Sequence, residues 1–323
     1  MKMSQMRRMA KSNPGEPLFV KKAQLDDSLE ADGYSLRSIY QELEMDSAYV
    51  DTHDDISESA DVVQLHSHTF FEILFCRGGS LEYLLGTGRY HLQRGDVVFV
   101  PPGISHCPIF LEKLVEPYVR DVLWLSPLFA KNMAELFPAE TVLPNQPFVL
   151  RTAGTQWESH LERLFRAGVR ESYAQAPGWQ AAVYGNTMRL LVQLNRVRAN
   201  DKTLTPPTEK QEMLDRILFY IESEMAQKIT LAETARRFLV SESTINQLFR
   251  KRMKVSFYHY VTQRRLIAAK TLLLSATPAE QICTRVGFGD YSTFYRAFKQ
   301  EYGISPAEYR RLQEGQPHET HHE

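Results

Sequence analysis

The chain has 323 residues, of which 43% are hydrophobic and 24% are charged, and its formal net charge is −1. This length favours two domains, and the composition is that of a globular protein rather than a disordered or fibrous one. No apolar run is long enough to cross a bilayer, and the basic residues 1–17 lack the apolar core of a secretory signal. Three cysteines (Cys76, Cys107 and Cys283) show neither paired nor metal-binding spacing, so we expect a cytoplasmic protein without disulfides.

The charge is distributed unevenly along the chain. Residues 211–312 carry 16 Lys and Arg against 10 Asp and Glu. Residues 1–210 carry 22 against 26, and residues 313–323 have three acidic residues and no Lys or Arg. A basic C-terminal third on an acidic remainder is typical of a chain with a local module that binds a polyanion such as DNA.

The N-terminal half favours β-structure after a polar start. Residues 1–60 have no clear periodicity, and we interpret them as an extension in which Tyr34–Leu43 is a candidate strand. In residues 61–152, Gly and Pro interrupt short β-rich runs about every ten residues, which predicts an antiparallel barrel or sandwich. The predicted strands are Phe70–Phe75, Ser80–Leu85, Val97–Val100 and Tyr118–Leu125.

The period becomes helical in residues 153–199, where two segments place their apolar side chains on single stripes. The two predicted helices either mediate dimerisation or cover the β-domain, and the sequence leaves both possibilities open. Residues 200–211 contain Pro206-Pro207 and predict a linker. We therefore expect an α+β protein of two domains, with an all-α domain after the linker.

Three explicit helix starts define this C-terminal domain, which we place at residues 212–312, before a disordered tail at 313–323. Each start has a hydroxyl at the N-cap and a carboxylate three residues later. The pairs are Thr230 with Glu233, Thr277 with Glu280, and Ser305 with Glu308. Starts at this spacing predict short helices joined by tight turns, which we interpret as two helix-turn-helix units.

Each unit ends in a helix with a polar outward face, the first capped by Ser241 and the second by Asp290. Amide, hydroxyl and Arg side chains in this position read base edges and bind phosphates in a DNA major groove. The intervening helix, predicted at Phe257–Leu274, would span about 27 Å, close to the ~34 Å between successive major grooves. The candidate DNA-binding residues are Ser243, Asn246, Gln247, Arg250, Tyr291, Ser292, Arg296 and Lys299.

The same region resembles the AraC/XylS family of bacterial transcription regulators. The segment Ile229–Leu274 fits the first half of the family pattern, with departures at Phe238–Val240, which lacks a Gly, and later at Cys283, where a small residue is usual. The resemblance implies sequence-specific binding to a double-stranded DNA operator and work with RNA polymerase. The run that carries it is Val286-Gly-Phe288-x3-Ser292-x-Phe294-x-Arg296-x-Phe298-Lys299-x3-Gly303-x2-Pro306-x2-Tyr309-Arg310.

Histidines and a glutamate mark the β-domain as the second candidate site. His66, His68 and Glu72 are separated by even numbers of residues, so on one strand they would face the same side of a barrel. His106 would then come from a second strand. Three imidazoles and a carboxylate can hold a divalent metal such as Zn, Fe, Mn or Ni.

This spacing is similar to both halves of the cupin motif, although Ala60 and Phe110 stand where the motif has Gly and Asn. The four side chains then form a divalent metal site, a metal-free effector pocket or a structural cluster. We favour the metal-free pocket, for a small-molecule effector such as a sugar, and assign no cofactor. The matching run is His66-x-His68-x3-Glu72-x6-Gly79, followed by Gly95-x5-Pro101-x-Gly103-x2-His106.

Taken together, these patterns predict a ligand-responsive transcription regulator of a bacterial metabolic or transport operon. We expect a cytoplasmic homodimer without a membrane partner, and we favour an activator over a repressor. A metal-dependent cupin enzyme with an appended DNA-binding domain is the alternative, but Glu72 has no visible acid–base companion, so we predict no enzyme. A constitutive regulator with a vestigial barrel is the third possibility.

Overall fold

The computed structural model describes residues 45–57, 65–109, 114–138, 142–199, 203–207, 213–253, 255–275 and 277–314. The chain divides into two compact units, residues 1–209 and 210–323. The candidate strand Tyr34–Leu43 and residues 315–323 of the predicted tail lie outside the described residues. Residues 313 and 314 belong to the last helix, so the predicted tail begins too early.

The described part of the N-terminal unit contains nine strands and three helices. The strands are β1 (Val50–Ser57), β2 (Phe71–Gly78), β3 (Leu81–Leu85), β4 (Gly88–Leu92), β5 (Asp96–Val100), β6 (His106–Ile109), β7 (Tyr118–Leu125), β8 (Phe148–Arg151) and β9 (Leu204–Thr205). The helices are α1 (Pro127–Leu136), α2 (Gln156–Ala174) and α3 (Trp179–Arg198).

The strands form two sheets, and the neighbouring strands within each sheet are antiparallel. The larger sheet has the order β1-β7-β2-β5-β8-β9, and the smaller has the order β4-β3-β6. Leu74, Tyr83 and Trp124 belong to an apolar cluster contributed by both sheets, which is the interior of the domain. Helices α2 and α3 cover the other face of the larger sheet. The antiparallel β-domain is confirmed, and the segment predicted at 153–199 does cover it.

The boundaries drawn from the sequence at 61 and 200 need correction. Strand β1 lies before residue 61 and pairs with β7 along its whole length, so the β-domain starts earlier. Strand β9 lies within the predicted linker and pairs with β8. We missed β1 because its residues, VDTHDDIS, are unusually polar for a buried strand. These polar side chains can be buried because they form hydrogen bonds and ion pairs with other parts of the fold.

A buried network of charges joins β1, β2 and β7 to helix α2. Asp54 Oδ2 lies 3.1 Å from both Arg77 Nη2 and Arg166 Nη1. Asp121 Oδ1 lies 2.9 Å from Arg77 Nε and 3.0 Å from Arg166 Nη1. The Tyr173 hydroxyl donates to Asp54 Oδ1 at 2.6 Å. Burial raises the pKa of Asp121 to about 6, although both arginines lower it.

The C-terminal unit is helical throughout its described residues. Its helices are α4 (Met213–Ser223), α5 (Leu231–Phe238), α6 (Glu242–Arg252), α7 (Phe257–Leu273), α8 (Ala279–Arg285), α9 (Tyr291–Tyr302) and α10 (Pro306–Glu314). The pairs α5–α6 and α8–α9 are the two helix-turn-helix units, so the predicted double arrangement is confirmed. None of the described helices, in either unit, has the length and apolar character required to cross a membrane.

The predicted hydroxyl cap is present at two of the three helix starts, and at one of them the capping box is complete. The Thr230 hydroxyl accepts the Glu233 N–H at 3.2 Å at the start of α5. At α10 the exchange is reciprocal: Ser305 Oγ accepts the Glu308 N–H at 3.2 Å, and Glu308 Oε2 accepts the Ser305 N–H at 2.8 Å. Each bond satisfies a backbone donor that the first helical turn leaves unpaired.

The third predicted box, at the start of α8, is wrong. Pro278 is the N-cap of this helix and offers no side-chain cap, so the helix begins one residue later than the box requires. The Thr277 hydroxyl instead accepts a hydrogen bond from Ser275 Oγ at 2.9 Å.

The two helix-turn-helix turns use different backbone solutions. Gly287 has φ +85°, and a Cβ there would collide with the Met225 carbonyl oxygen, so this turn requires glycine. The first turn has Leu239 in the left-handed region, with φ +56°, and its side chain is 91% exposed. A branched side chain is strained in that conformation and gains little from packing here.

Replacing Leu239 by Gly should stabilise the C-terminal unit. Relief of the left-handed strain exceeds the extra chain entropy of glycine, giving a gain of up to about 1 kcal/mol in the free energy of unfolding. Urea unfolding followed by circular dichroism measures this. Val240→Gly is the matched control and should destabilise, because the backbone of Val240 has no positive φ to relieve. Equal losses in both variants would contradict the strain at Leu239.

Replacing Asp121 by Asn should change the pH dependence of the N-terminal unit. The pKa of Asp121 is raised from 3.8 to about 6, so the folded chain binds this proton more tightly than the unfolded chain. The group therefore adds stability as pH falls from about 7 to about 5 and removes it as pH rises. The difference in unfolding free energy, wild type minus D121N, should increase on acidification by roughly 1 kcal/mol. Parallel pH profiles, with unchanged spectra, would contradict this assignment.

Candidate functional site

The structure places the four predicted β-domain residues on three segments. Glu72 is the second residue of β2, and His106 is the first residue of β6. His66 and His68 precede β2, so the expected alternation along one strand is wrong. His66 instead pairs with His106 in an isolated bridge, with N···O distances of 3.2 and 2.9 Å.

Three of the four side chains converge in the buried interior. Glu72 Oε2 lies 3.0 Å from His106 Nε2 and 3.6 Å from His68 Nε2. One ligand atom from each of these residues lies within 4.8 Å of the others. His66 is not part of this group; its ring centroid lies 4.3 Å from that of His106 and 6.3 Å from that of His68.

Backbone carbonyls fix the tautomers of the two histidines. His68 Nδ1 lies 2.8 Å from Phe70 O, and His106 Nδ1 lies 2.9 Å from Ile104 O. A carbonyl only accepts, so each Nδ1 carries a hydrogen, and a neutral ring then has a lone pair at Nε2. Both Nε2 atoms are buried without a hydrogen-bond partner among the described residues. Lone pairs that face a carboxylate repel it unless a proton or a cation lies between them.

Burial and neighbouring charges act in opposite directions here. Burial lowers the pKa of His68, and this effect is larger than the opposite effect of the neighbouring Glu72 carboxylate. For Glu72, burial alone would raise the pKa, but the close contacts with His106 and His68 hold it well below its ordinary value. The carboxylate therefore stays charged, whereas burial opposes protonation of the His68 imidazole that would balance it.

Trp124 completes the cluster and was missed from the sequence. Its indole Nε1 donates to Glu72 Oε1 at 2.8 Å, which leaves Oε2 for the histidines. Its ring also contacts those of Phe70 and His53, at centroid distances of 4.7 and 4.8 Å. Only the register between β2 and β7, in which Glu72 lies opposite Trp124, reveals this contact.

A second polar group lies on the same inward face of β7. Arg120 Nη1 donates to Ser57 Oγ at 3.0 Å, Nη2 bonds Asp55, and the guanidinium lies 4.6 Å from the Tyr118 ring centroid. The Tyr118 hydroxyl is buried without a hydrogen-bond partner among the described residues. The interior thus contains donors and acceptors well beyond the predicted histidines.

The first candidate DNA-binding helix, α6, is fixed from below by Ile245 and Phe249, which are both fully buried. Its N-terminus is capped by Ser241, whose hydroxyl accepts the Thr244 N–H at 3.1 Å. Three predicted DNA contacts are exposed and the fourth is half-buried. They are Ser243, Gln247 and Arg250, and Asn246 respectively.

The second candidate helix, α9, follows the same plan, with Phe294 and Phe298 fully buried beneath it. Asp290 caps it by accepting the Thr293 N–H at 2.8 Å. Tyr291 is half-buried and its ring packs against Phe294, at a centroid distance of 5.9 Å. The remaining predicted contacts are exposed, and they are Ser292, Arg296 and Lys299.

Helix α7 packs against both helix-turn-helix units of the C-terminal domain. Phe257 at its start packs against Phe249, with ring centroids 5.4 Å apart. Leu266, Ala269 and Leu273, nearer its end, belong to the core beneath α9. Its 17 residues correspond to about 26 Å at the helical rise, one residue shorter than predicted.

Comparisons with known proteins agree with this division. Residues 47–107 match the family model of the AraC-like ligand binding domain, and residues 234–312 match that of a helix-turn-helix domain. The HTH-type transcriptional activator RhaS of Salmonella arizonae is 25% identical over 258 residues, covering 78% of this chain and 89% of RhaS. The activator RhaR of Yersinia pestis is 27% identical over 257 residues, covering 76% of this chain and 83% of RhaR.

Among solved structures, the C-terminal domain of AraT, a response regulator from Geobacillus stearothermophilus, is 30% identical. The match covers 36% of this chain and 100% of that domain, with a TM-score of 0.33. The ligand-binding and helix-turn-helix matches follow each other in the order of the two described units. The chain therefore combines an AraC-like ligand-binding domain with a helix-turn-helix domain, and it is homologous to the transcription activators RhaS and RhaR.

Proposed function

We propose that this protein is a ligand-responsive transcription activator that binds a DNA operator through α6 and α9. The observation that carries the proposal is the pair of recognition helices. Each rests on two fully buried aromatic or aliphatic side chains and presents amides, hydroxyls and arginines to solvent. Activation, rather than repression, is proposed because RhaS and RhaR are named as activators.

The chemistry of the two faces suits base recognition. Asn and Gln pair with adenine edges and Arg with guanine, whereas hydroxyls and Lys bind phosphates. Gln247 and Arg296 project from different helices, so each would read its own short stretch of the operator. The excess of Lys and Arg in residues 211–312 supplies the nonspecific attraction, which weakens as salt concentration rises.

The β-domain is the proposed sensor. Its interior combines acceptors at Glu72 with donors at Arg120 and Tyr118, which suits a small, oxygen-rich effector such as a sugar. We further propose that the protein acts as a cytoplasmic homodimer that engages RNA polymerase. No catalytic role is proposed for Glu72, because the surrounding groups hold it charged rather than poised to exchange protons.

Alanine substitution at Gln247 or Arg296 should reduce discrimination between operator variants rather than all binding. The expected cost is about 1–3 kcal/mol at a few base pairs, which differ between the two variants. Genomic footprinting with the full-length protein first defines the operator, and gel retardation with single-base operator variants then measures the losses. Arg170→Ala removes an exposed arginine of α2 and is the matched control. Losses that are uniform across all operator variants would reassign these residues to phosphate contacts.

We also propose that His68, Glu72 and His106 hold a divalent metal. Two ligand atoms at about 2.1 Å from a zinc ion sit roughly 3.4 Å apart in tetrahedral geometry. The 3.0 and 3.6 Å separations at Glu72 are close to this spacing. A cation would also satisfy the two buried Nε2 lone pairs, and when bound it would polarise an oxygen of the effector. Trp124 and the carbonyls of Phe70 and Ile104 would orient the ligands.

Metal analysis of the purified protein tests this proposal. We expect about one equivalent of metal per chain and a lower unfolding temperature after chelation, because a metal bound only by the folded state stabilises it. His68→Ala and Glu72→Gln should lose the metal, whereas His160→Ala, on α2, should retain it. Trace metal together with indifference to the chelator would contradict the proposal and favour the metal-free pocket.

A further inference from the structure

A separate cleft of about 550 Å³ lies beside the smaller sheet of the N-terminal unit. Its lining combines polar and charged side chains with an apolar wall. The polar ones include Ser80, Glu82 and His91, and the apolar ones include Ile109, Leu114 and Val115. None of these side chains belongs to the His68–Glu72–His106 cluster.

The three polar side chains form a chain of hydrogen bonds. Ser80 Oγ lies 3.0 Å from His91 Nε2, and His91 Nδ1 lies 3.1 Å from Glu82 Oε1. The other oxygen of Glu82 lies 3.6 Å from Arg89 Nη1. Both bonds of the chain have the length at which a nucleophile, a base and an orienting acid act together.

Strand pairing explains only one of the two bonds. Glu82 of β3 lies directly opposite His91 of β4, so their contact is an ordinary cross-strand pair. Ser80 has no strand partner in that register and reaches His91 from the residue before β3. Gly79 permits this approach: its φ is +85°, and a Cβ there would lie 2.9 Å from the Pro117 carbonyl oxygen. The conformation that presents Ser80 therefore requires glycine at the preceding residue.

The hydrogen-bond roles follow from the acceptors. A carboxylate only accepts, so in the neutral ring of His91 Nδ1 carries the hydrogen and Nε2 has the lone pair that faces Ser80. This is the tautomer in which an imidazole removes a proton from a serine hydroxyl. Arg89 keeps the second Glu82 oxygen near a positive charge and thereby limits rotation of the carboxylate.

We propose that Ser80 is a covalent acceptor for acyl groups from activated esters or thioesters of small apolar acids. Ser80 Oγ attacks the acyl carbon while His91 Nε2 takes the hydroxyl proton. The bond from the acyl carbon to the leaving oxygen or sulfur breaks, and His91 returns the proton to the leaving group. One acyl ester remains on Ser80, with its chain against Ile109 and Leu114 in the cleft. The proposal is independent of the DNA-binding and metal proposals.

Acetylation by p-nitrophenyl acetate tests this directly on the full-length protein. Trypsin releases Ser80 in the peptide Gly78–Arg89, and fragmentation of that peptide locates the acetyl group. We expect Ser80 to be acetylated roughly 100-fold faster than exposed serines without a histidine base, such as Ser243 and Ser292. Ser80→Ala should leave this peptide unmodified.

His91→Gln and Glu82→Gln supply the mechanistic controls. Both should bring the acetylation of Ser80 down towards the rate at Ser243, because the first removes the base and the second its orientation. Circular dichroism confirms that each variant is folded, and a folded Glu82→Gln protein suffices if His91→Gln is not. Acetylation of Ser80 at the reference rate, unchanged rates in these variants, or an acetyl group that stays on His91 would each overturn the proposal.

Discussion

Strand β7 pairs with β1 on one side and with β2 on the other, and this double register decides which side chains enter the β-domain. Because side chains alternate along a strand, Trp124 and Arg120 face inwards while Asp121 faces helix α2. A slip of one residue would exchange these faces, leaving Glu72 without its indole donor and burying Asp121 among apolar side chains. Both the candidate metal cluster and the packing of α2 therefore depend on this register.

The polar groups on the two faces of this sheet are neighbours in sequence. Arg120 bonds Asp55 on the inward face of the larger sheet. The adjacent residues Asp121 and Asp54 bond Arg166 on the face that α2 covers. A ligand that shifts β1 relative to β7 from the inside must also change the contacts of α2 on the outside. Buried charges that lose one partner are costly, so such a shift is opposed unless both partners move together.

In the C-terminal unit, helix α7 has a central role like that of β7 in the N-terminal unit, because both recognition helices pack against it. The start of this helix contributes to the core beneath α6, and its end contributes to the core beneath α9. Arg265 on α7 also donates to the carbonyls of Met225 and Gln227, next to the backbone that forbids a side chain at Gly287. The second turn is thus locked to this helix, whereas the first tolerates Leu239 because its side chain meets only solvent.

Elements that are stabilised by neighbours in the chain could be predicted from the amino-acid pattern. The hydroxyl caps at Thr230 and Ser305 and the helical apolar stripes need only neighbours in the chain, and so the helix-turn-helix units could be predicted. The cluster of His68, Glu72 and His106 could be predicted only in part. The histidine spacing indicates a site but does not show that His66 lies outside it. The burial of β1, the Trp124 bond to Glu72 and the Ser80–His91–Glu82 chain become visible only in the folded structure. The third lies in and beside the β3–β4 hairpin, where no local pattern specifies the approach of Ser80 to His91. The first two join strands far apart in the sequence, and their register is set by long-range pairing and not by local sequence.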